Sequence, residues 1–335
     1  MQHEITKKQN LLDEQGNIAE PGWARSLLPK YNRNQVKANK LRLKEWDYYL
    51  ITNGHIGVAL TIADNGYMGM DSISFLQFDE AWEITKSPMR IMPLGKTGLP
   101  ASSKKGNVSI EGKDYSIDFK NSGKRRVLSF YMNNFKDEDS ISGKLTLTDE
   151  PDESMVICTP FNKDKHFYYN QKINCMKVQG SVKLGEEEFN LDDAYAVLDW
   201  GRGVWTYHNT WYWGSASGEI AGVPFGWNIG YGFGDTSAAS ENVLFIDGKV
   251  HKLDKIEFHI PDDYLKPWKF TSNDGRFEMD FKPIIDRSAL TDFKILKSDQ
   301  HQVFGHFTGT AILDDGSKIK VKDFFGFAEK VENKW

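Results

Sequence analysis

Leu41-Arg42-Leu43-Lys44-Glu45-Trp46-Asp47-Tyr48, the pair Asn53-Gly54, and Ile56-Gly57-Val58-Ala59-Leu60-Thr61-Ile62 are the stretch on which the fold is read. Leu41, Leu43, Glu45 and Asp47 alternate with Arg42, Lys44, Trp46 and Tyr48. That period of two is what an extended strand imposes on its two faces. An Asn-Gly pair between two such runs marks a tight hairpin turn, because both central residues need positive φ. Working outward, strand-like runs recur at 72–78, 108–110, 115–119, 127–131 and 145–147. Asn65-Gly66, Glu111-Gly112-Lys113, Asn121-Ser122-Gly123 and Ser142-Gly143 supply turn signals between them.

The second half continues in the same manner. Runs at 181–184, 210–215, 224–233, 243–246, 250–260 and 319–331 are punctuated by Gly185-Glu186, Asp247-Gly248, Asn273-Asp274-Gly275 and Asp314-Asp315-Gly316. Single helical turns are expected at 35–40 and 262–265 and nowhere else. Strands never alternate with helices, which excludes a doubly wound sheet. Many short strands joined by regular turns predict an antiparallel sandwich or barrel.

A chain of 335 residues exceeds the size at which one core stops growing, so two domains are expected. The polar Lys163-Asp164-Lys165 places the boundary so that residues 1–165 and 166–335 form the two. The net charge of −5 disfavours nucleic acid as a partner. No apolar run reaches the length of a membrane helix, and the polar start Met1-Gln2-His3-Glu4 lacks a signal-peptide core. A cytoplasmic protein without an integral membrane segment is expected. Cys158 and Cys175 do not make a disulfide framework.

Residues 199–233 concentrate Trp200, Trp205, Trp211, Trp213 and Trp227, five of the ten tryptophans, together with Tyr207, Tyr212, Phe225, Tyr231 and Phe233. Rings beside glycines suit a shaped cavity or a close crossing of backbones, and equally a bulky core. On one continuous strand Trp205, Tyr207, Trp211 and Trp213 would share a face, opposite Thr206, His208, Thr210 and Tyr212. Asp199 and Arg202 flank Gly201, and Glu219, Asn228, Asp235 and Glu241 follow. A carboxyl desolvated among tryptophans favours its neutral form and can donate a proton near neutrality. An Asp199–Arg202 pair that fixes the turn is the plainer alternative. His208 is the candidate proton shuttle, because imidazole titrates near neutrality. Arg202 is suited to gripping a carboxylate or phosphate with its planar fork. Gly230-Tyr231-Gly232-Phe233-Gly234 is not a dinucleotide fingerprint, since no helix follows it, and no zinc spacing occurs.

Several motifs together carry a family resemblance. They are Asn10-Leu11-Leu12-Asp13, Pro21-Gly22-Trp23-Ala24-Arg25, Tyr31-Asn32, Lys44-Glu45-Trp46-Asp47-Tyr48-Tyr49, Asp199-Trp200-Gly201-Arg202-Gly203, Trp211-Tyr212-Trp213-Gly214, Asn228-Ile229-Gly230-Tyr231-Gly232, Glu241-Asn242 and Asp247-Gly248-Lys249. This set resembles the uncharacterised family designated domain of unknown function 2804, over nearly the whole chain. Residues 168–203, from Tyr168-Tyr169 through Val178-Gln179-Gly180-Ser181-Val182 to Asp199-Trp200-Gly201, are more remotely similar to another group. It comprises the carotenoid 1,2-hydratases, tocopherol cyclases and hydroxyneurosporene-synthase-like proteins. That resemblance implies two lipocalin-like barrels and hydration, cyclisation or isomerisation of apolar substrates. Asp199 matches the acid of the group's Asp-His-x-x-Gly type motif. Trp200 stands where that group has histidine, and an indole does not relay a proton as imidazole does.

The expected protein is therefore all-β, with two antiparallel lipocalin-like barrels side by side and very little helix. The C-terminal barrel is expected to carry the Asp199–Gly203 segment. The expected activity is proton-initiated hydration, cyclisation or isomerisation of a hydrophobic small molecule, without cofactor or metal. Asp199, His208 and Tyr212 would handle the proton. Trp200, Arg202, Trp205, Tyr207, Trp211, Trp213, Trp227 and Glu241 would contact the ligand. Two other readings use the same residues. One is a non-catalytic carrier or sensor of an apolar ligand, with Arg202 on its acidic head. The other is a carbohydrate-active or carbohydrate-binding protein with tryptophan platforms. The oligomeric state is not readable from the sequence.

Overall fold

The computed structural model describes residues 2–293 and 296–334. Its strands form a 14-stranded sheet, a 9-stranded sheet and a short two-stranded ribbon. The ladders of both large sheets are antiparallel, as the hairpin signals require. Among the described residues the helical elements are two 3-10 turns, Arg33–Gln35 and Lys40–Arg42. They flank the stretch 35–40 rather than fill it. Asn32 and Asn39 set their starts by accepting from the backbone N–H two residues on. None of the helices is long and apolar enough to cross a membrane.

The two sheets share one topology. In the first, Leu43–Thr52, Ile56–Asp64, Met68–Gln77 and Trp82–Lys86 follow one another as neighbours. Ladder order then resumes at Gly106–Glu111 and returns through Phe167–Leu184 and Tyr195–Val204 to pair with Leu43–Thr52. In the second, His208–Ile220, Val223–Tyr231, Val243–Ile246 and Lys249–Lys252 precede a gap. The path resumes at Ile256–His259 and returns so that Lys318–Lys334 pairs with His208–Ile220. Each sheet is thus an up-and-down meander whose first and last strands meet, with one gap in its ladder after the fourth strand. Along the main path of each sheet, curling so leaves edges only at the gap, and exposed edges invite aggregation. The duplication leaves no repeat visible in the sequence.

Side chains close the first gap. Arg90 grips Asp71 with both arms at 2.7 and 2.9 Å, and the Tyr115 hydroxyl donates to the same carboxylate at 2.9 Å. Lys136 lies 4.2 Å over the Trp82 ring across the same opening. The second gap falls inside 250–260, which the sequence suggested as one strand. It breaks at Leu253-Asp254-Lys255, where Arg276 Nη1 donates to the Lys252 carbonyl at 2.8 Å. Ser142-Gly143 is likewise strand interior rather than a turn, with Gly143 opposite Phe130. A Cβ at Gly143 would run into the Phe130 ring, so glycine here makes room rather than bends the chain.

Each curled sheet has its own apolar filling. Leu60, Phe75, Ile117, Leu128, Tyr169 and Trp200 lie within the first, and Trp227, Phe270, Phe281 and Phe307 within the second. The sheets change at the link Trp205-Thr206-Tyr207. Tyr195–Val204, and with it Asp199, therefore belongs to the first sheet and not to the C-terminal one. This follows from ten consecutive residue pairs with Leu43–Thr52. We propose the structural units to be 22–204 and 208–334, in place of 1–165 and 166–335. The N-terminal segment staples the two. Trp23 pairs with Ile157 in the first sheet, while Arg25 donates to Val250 O at 2.6 Å and Gln2 to Leu253 O at 2.9 Å.

Asp71 is fully buried, so removing it strands Arg90 and Tyr115 at the first gap. Asp71→Ala is expected to lower the unfolding free energy by about 3 kcal/mol in a urea titration. Lys249→Ala, which breaks the exposed pair with Asp152, is expected to change it by less than about 0.5 kcal/mol. Equal effects would contradict closure of the gap by the buried carboxylate.

Candidate functional site

Strand parity places Lys44, Trp46, Tyr48 and Leu50 on the outer face of Leu43–Thr52, away from the filling that takes Leu43, Tyr49 and Ile51. Register puts Tyr48 beside Asp199, and Asp199 beside Lys172. The outer faces of three adjacent strands thus carry Trp46 and Tyr48, then Asp199, then Tyr168, Asn170 and Lys172. Lys172 Nζ stands 3.0 Å from Asp199 Oδ2, and Asn170 Nδ2 donates to Asp199 Oδ1 at 2.5 Å. The two glycines of the segment make room here. A Cβ at Gly201 would collide with the Trp46 indole, and one at Gly203 would sit 2.6 Å from Phe167 O and 3.0 Å from Trp205 Nε1.

An outer wall would ordinarily be wet, but the outer face of the second sheet covers it. Trp211, Trp213, Asn228, Arg287, Gln302, Phe304, Phe327 and Glu329 form this opposing wall by the same parity. Lys172 Nζ lies 3.6 Å over the Trp213 ring, so a cation from one sheet rests on an aromatic face of the other. Tyr48 meets Trp213 edge-on at 6.0 Å. Trp46 contacts Tyr168 at 6.3 Å and Trp205 at 5.3 Å, and Trp205 contacts Trp211 at 5.7 Å. The result is a seam between the sheets, walled by rings and centred on charge.

Glu329 is a strongly perturbed carboxyl within it. Trp211 Nε1 donates to Glu329 Oε1 at 3.0 Å, and Gln302 Nε2 to Oε2 at 3.1 Å. Burial pushes this carboxyl up to about 7, against the smaller opposing pull of the Trp211 bond, Lys172 and Arg287. Glu241, on the loop before Val243–Ile246, is also raised by burial, and the nearby Lys172 and its bond from Asn228 oppose this. Asn228 joins the walls by accepting from Trp213 Nε1 at 2.6 Å and donating to Glu241 O at 2.9 Å. Three buried atoms of the seam, Asn170 Oδ1, Trp205 Nε1 and Arg287 Nη1, have no hydrogen-bond partner among the described residues. Unmet groups of this kind cost free energy until something fills them. Among the described residues no group of three or more His, Cys, Asp or Glu is placed to hold a metal ion. Cys158 and Cys175 are buried free thiols.

Of the residues singled out in the sequence, the seam gathers Asp199, Trp205, Trp211, Trp213, Asn228, Phe233 and Glu241. The others lie elsewhere. Trp200 and Arg202 point into the first sheet's filling, because even residues of their strand face inward. Arg202 is fully buried there. Nη1 donates to Trp46 O and Gly201 O, each at 2.7 Å, and Nη2 to Asp47 Oδ1 at 3.0 Å and Pro100 O at 2.7 Å. Its fork is engaged by the protein, and its acidic partner is Asp47 rather than Asp199. Trp227 lies inside the second sheet, where Tyr212 also turns, stacked on Tyr231 at 4.5 Å. His208 is exposed and pairs with Glu332 at 3.2 Å. Tyr207 is half exposed on the link. Trp205, Trp211 and Trp213 share the seam side as the parity predicts, Tyr207 departs from it on the exposed link, and Tyr212 takes the opposite face. His208 and Tyr212 are therefore not beside Asp199.

Sequence reading missed Lys172, Glu329, Gln302 and Tyr48. A signal existed for two of them. Glu329 sits on the period-two stripe Phe325, Phe327, Glu329, Val331, and Lys172 shares parity with Tyr168 and Asn170 in a largely buried strand.

Fold and site together define an all-β protein of two curled sheets packed through a polar, aromatic seam. The chain belongs to the family Domain of unknown function (DUF2804), whose model matches residues 2–335. No curated protein matches it. Among solved structures it is similar to a protein provisionally designated AttH from Nitrosomonas europaea. That match has 10% identity and a TM-score of 0.54, over 90% of this chain and 95% of that one. Kievitone hydratase from Nectria haematococca is also similar, at 10% identity and a TM-score of 0.49, over 98% of both chains. At such identity the likeness to the first is one of fold alone.

The raised carboxyl carries a stability signature. Glu329 binds its proton more tightly folded than unfolded, so wild-type stability falls as pH rises from about 4.5 through about 7 and then levels off. Glu329→Gln removes this slope. Relative to wild type, the variant is expected to gain on the order of 2–3 kcal/mol between pH 4.5 and 8 in urea titrations. A difference independent of pH would contradict the assignment.

Proposed function

We propose that the seam is the site of an acid–base reaction on an unsaturated, largely apolar small molecule: a hydration, cyclisation or isomerisation begun by proton delivery. The observation that carries this reading is Glu329. It is a buried carboxyl with its pKa at about 7, held by Trp211 and Gln302 and facing the Asp199–Lys172 pair across an aromatic wall. A general acid works best when its pKa lies near the ambient pH.

In the proposed reaction the Glu329 proton goes to an alkene carbon, whose π pair forms the new C–H bond. Positive charge then develops on the neighbouring carbon, beside Trp211 and Trp213, whose ring faces attract cations. Water, an internal alkene or loss of an adjacent proton quenches that charge, giving hydration, cyclisation or isomerisation respectively. The proton released in each case passes to Asp199 or Glu241, carboxylates within electrostatic reach of Glu329 or Lys172. Lys172 holds the Asp199 carboxyl group in place. The resemblance of residues 168–203 to hydratases and cyclases points to the same reaction classes, but Glu329 replaces His208 and Tyr212 as proton carrier.

The test is differential consumption. Wild type and Glu329→Gln are each incubated with an apolar extract of the host, and the small molecules are compared by mass spectrometry. At least one compound is expected to be converted by wild type and to react 100-fold or more slowly with the variant, the usual scale for loss of a general acid, ~10²–10⁴. Conversion at equal rates would remove Glu329 from the chemistry. Binding without conversion would favour the carrier.

A further inference from the structure

Where the two sheets join, the surface opens into a cavity of about 640 Å³. Three segments wall it: the turn carrying Arg42, the loop Lys163-Asp164-Lys165-His166, and the link Thr206-Tyr207. We propose that this cavity binds the anionic group, a carboxylate or a phosphate, of the molecule whose apolar body reaches the seam. The proposal rests on the acid–base reading of the seam and adds the class of substrate.

Three observations carry it. The first is charge. In a chain of net charge −5, this cavity sets the cations Arg42, Lys163 and Lys165 against the single carboxylate Asp164. The second is anchoring. Arg42 Nη2 donates to Trp205 O at 3.0 Å, which fixes the guanidinium at the wall. The loop is tied by Lys165 N to Asn17 Oδ1 at 2.7 Å, by Phe161 N to His166 O at 3.0 Å and by His166 N to Lys163 O at 3.1 Å. The held guanidinium of Arg42 loses less freedom on gripping an anion than a floppy one would, and the tied loop backbone keeps Lys163 and Lys165 at the rim. The third is continuity. Trp205 precedes Thr206, and its ring touches Trp46 and Trp211. Tyr168 lies two residues beyond His166, and its ring touches Trp46. The segments that wall the cavity are thus the same chain segments that lead into the rings of the seam. Arg202, the arginine that the sequence offers for this purpose, is engaged inside the first sheet.

Isothermal titration with three small probes tests this: 4-phenylbutyrate, phenyl phosphate, and the uncharged 4-phenylbutanol. At least one of the two anions is expected to bind saturably and more tightly than the alcohol, and which one does so separates carboxylate from phosphate. The exposed double variant Lys163→Gln/Lys165→Gln is expected to weaken the anion about fivefold or more and to leave the alcohol unchanged. Added salt should act in the same direction. Alcohol binding as tight as that of both anions, or an unaltered double variant, would overturn the proposal. The readout involves no turnover. An active Glu329→Gln enzyme would therefore defeat the acid–base reading alone, and loss of the anion preference would defeat the cavity alone.

Discussion

The ion pair of Lys172 and Asp199 sits where a curled sheet would normally meet water. An antiparallel sheet that bends round until its ends meet has an inside for apolar side chains and an outside for polar ones. Here the outsides of two such sheets are pressed together, and whatever lies between them loses its solvent. Lys172 recovers part of that loss from Asp199 and from the face of Trp213, and Asp199 from Asn170. Withdrawing a charge from water is tolerable only with such partners. The seam also holds Glu241 and Glu329, so three carboxyl groups face the two cations Lys172 and Arg287. Burial dominates there, outweighing the pull of the Trp211 bond, Lys172 and Arg287, and Glu329 keeps its proton to an unusually high pH.

The rest of the site follows from how closely the faces approach. Gly201 and Gly203 remove the side chains that would hold Trp46 and Trp205 off the first sheet. Gly230 does the same opposite, where a Cβ would sit 2.9 Å from Glu241 Oε1. Small residues beneath large rings let the two walls meet ring to ring. The Asp199–Gly203 segment therefore faces two ways. Its odd residues build the seam, while Trp200 and Arg202 fill and lock the first sheet, with Arg202 4.2 Å over the Trp200 ring.

Much of this was legible in the sequence. Period-two runs and Asn-Gly or Asp-Gly turns led to the all-β meander, and Asp199, Trp211, Trp213 and Glu241 were found by their clustering. What was not legible depends on curvature and on long-range register. The alternation of Leu43, Glu45 and Asp47 with Lys44, Trp46 and Tyr48 is plain, but nothing local says which set faces inward. Both faces are buried, so burial does not separate them. The pairing of Tyr195–Val204 with Leu43–Thr52 joins residues far apart in the chain, which moved Asp199 out of the expected domain. Trp205, Trp211 and Trp213 do share the seam side, but the opposite parity turns Tyr212 into the second sheet, and His208 lies exposed at the start of its strand, so neither reaches Asp199. Glu329 lay beyond the aromatic cluster that drew attention, yet register sets it beside Trp213.

The account stands on Glu329 being a neutral acid in the folded protein at the threshold of neutrality. The direct measurement is infrared difference titration of wild type against Glu329→Gln, following the carbonyl stretch of the protonated carboxyl. The predicted result is one carboxyl, absent from the variant, that loses its proton at a pH of about 7. A carboxyl at this position that is already ionised well below pH 6 would contradict the claim that the seam holds a poised proton donor.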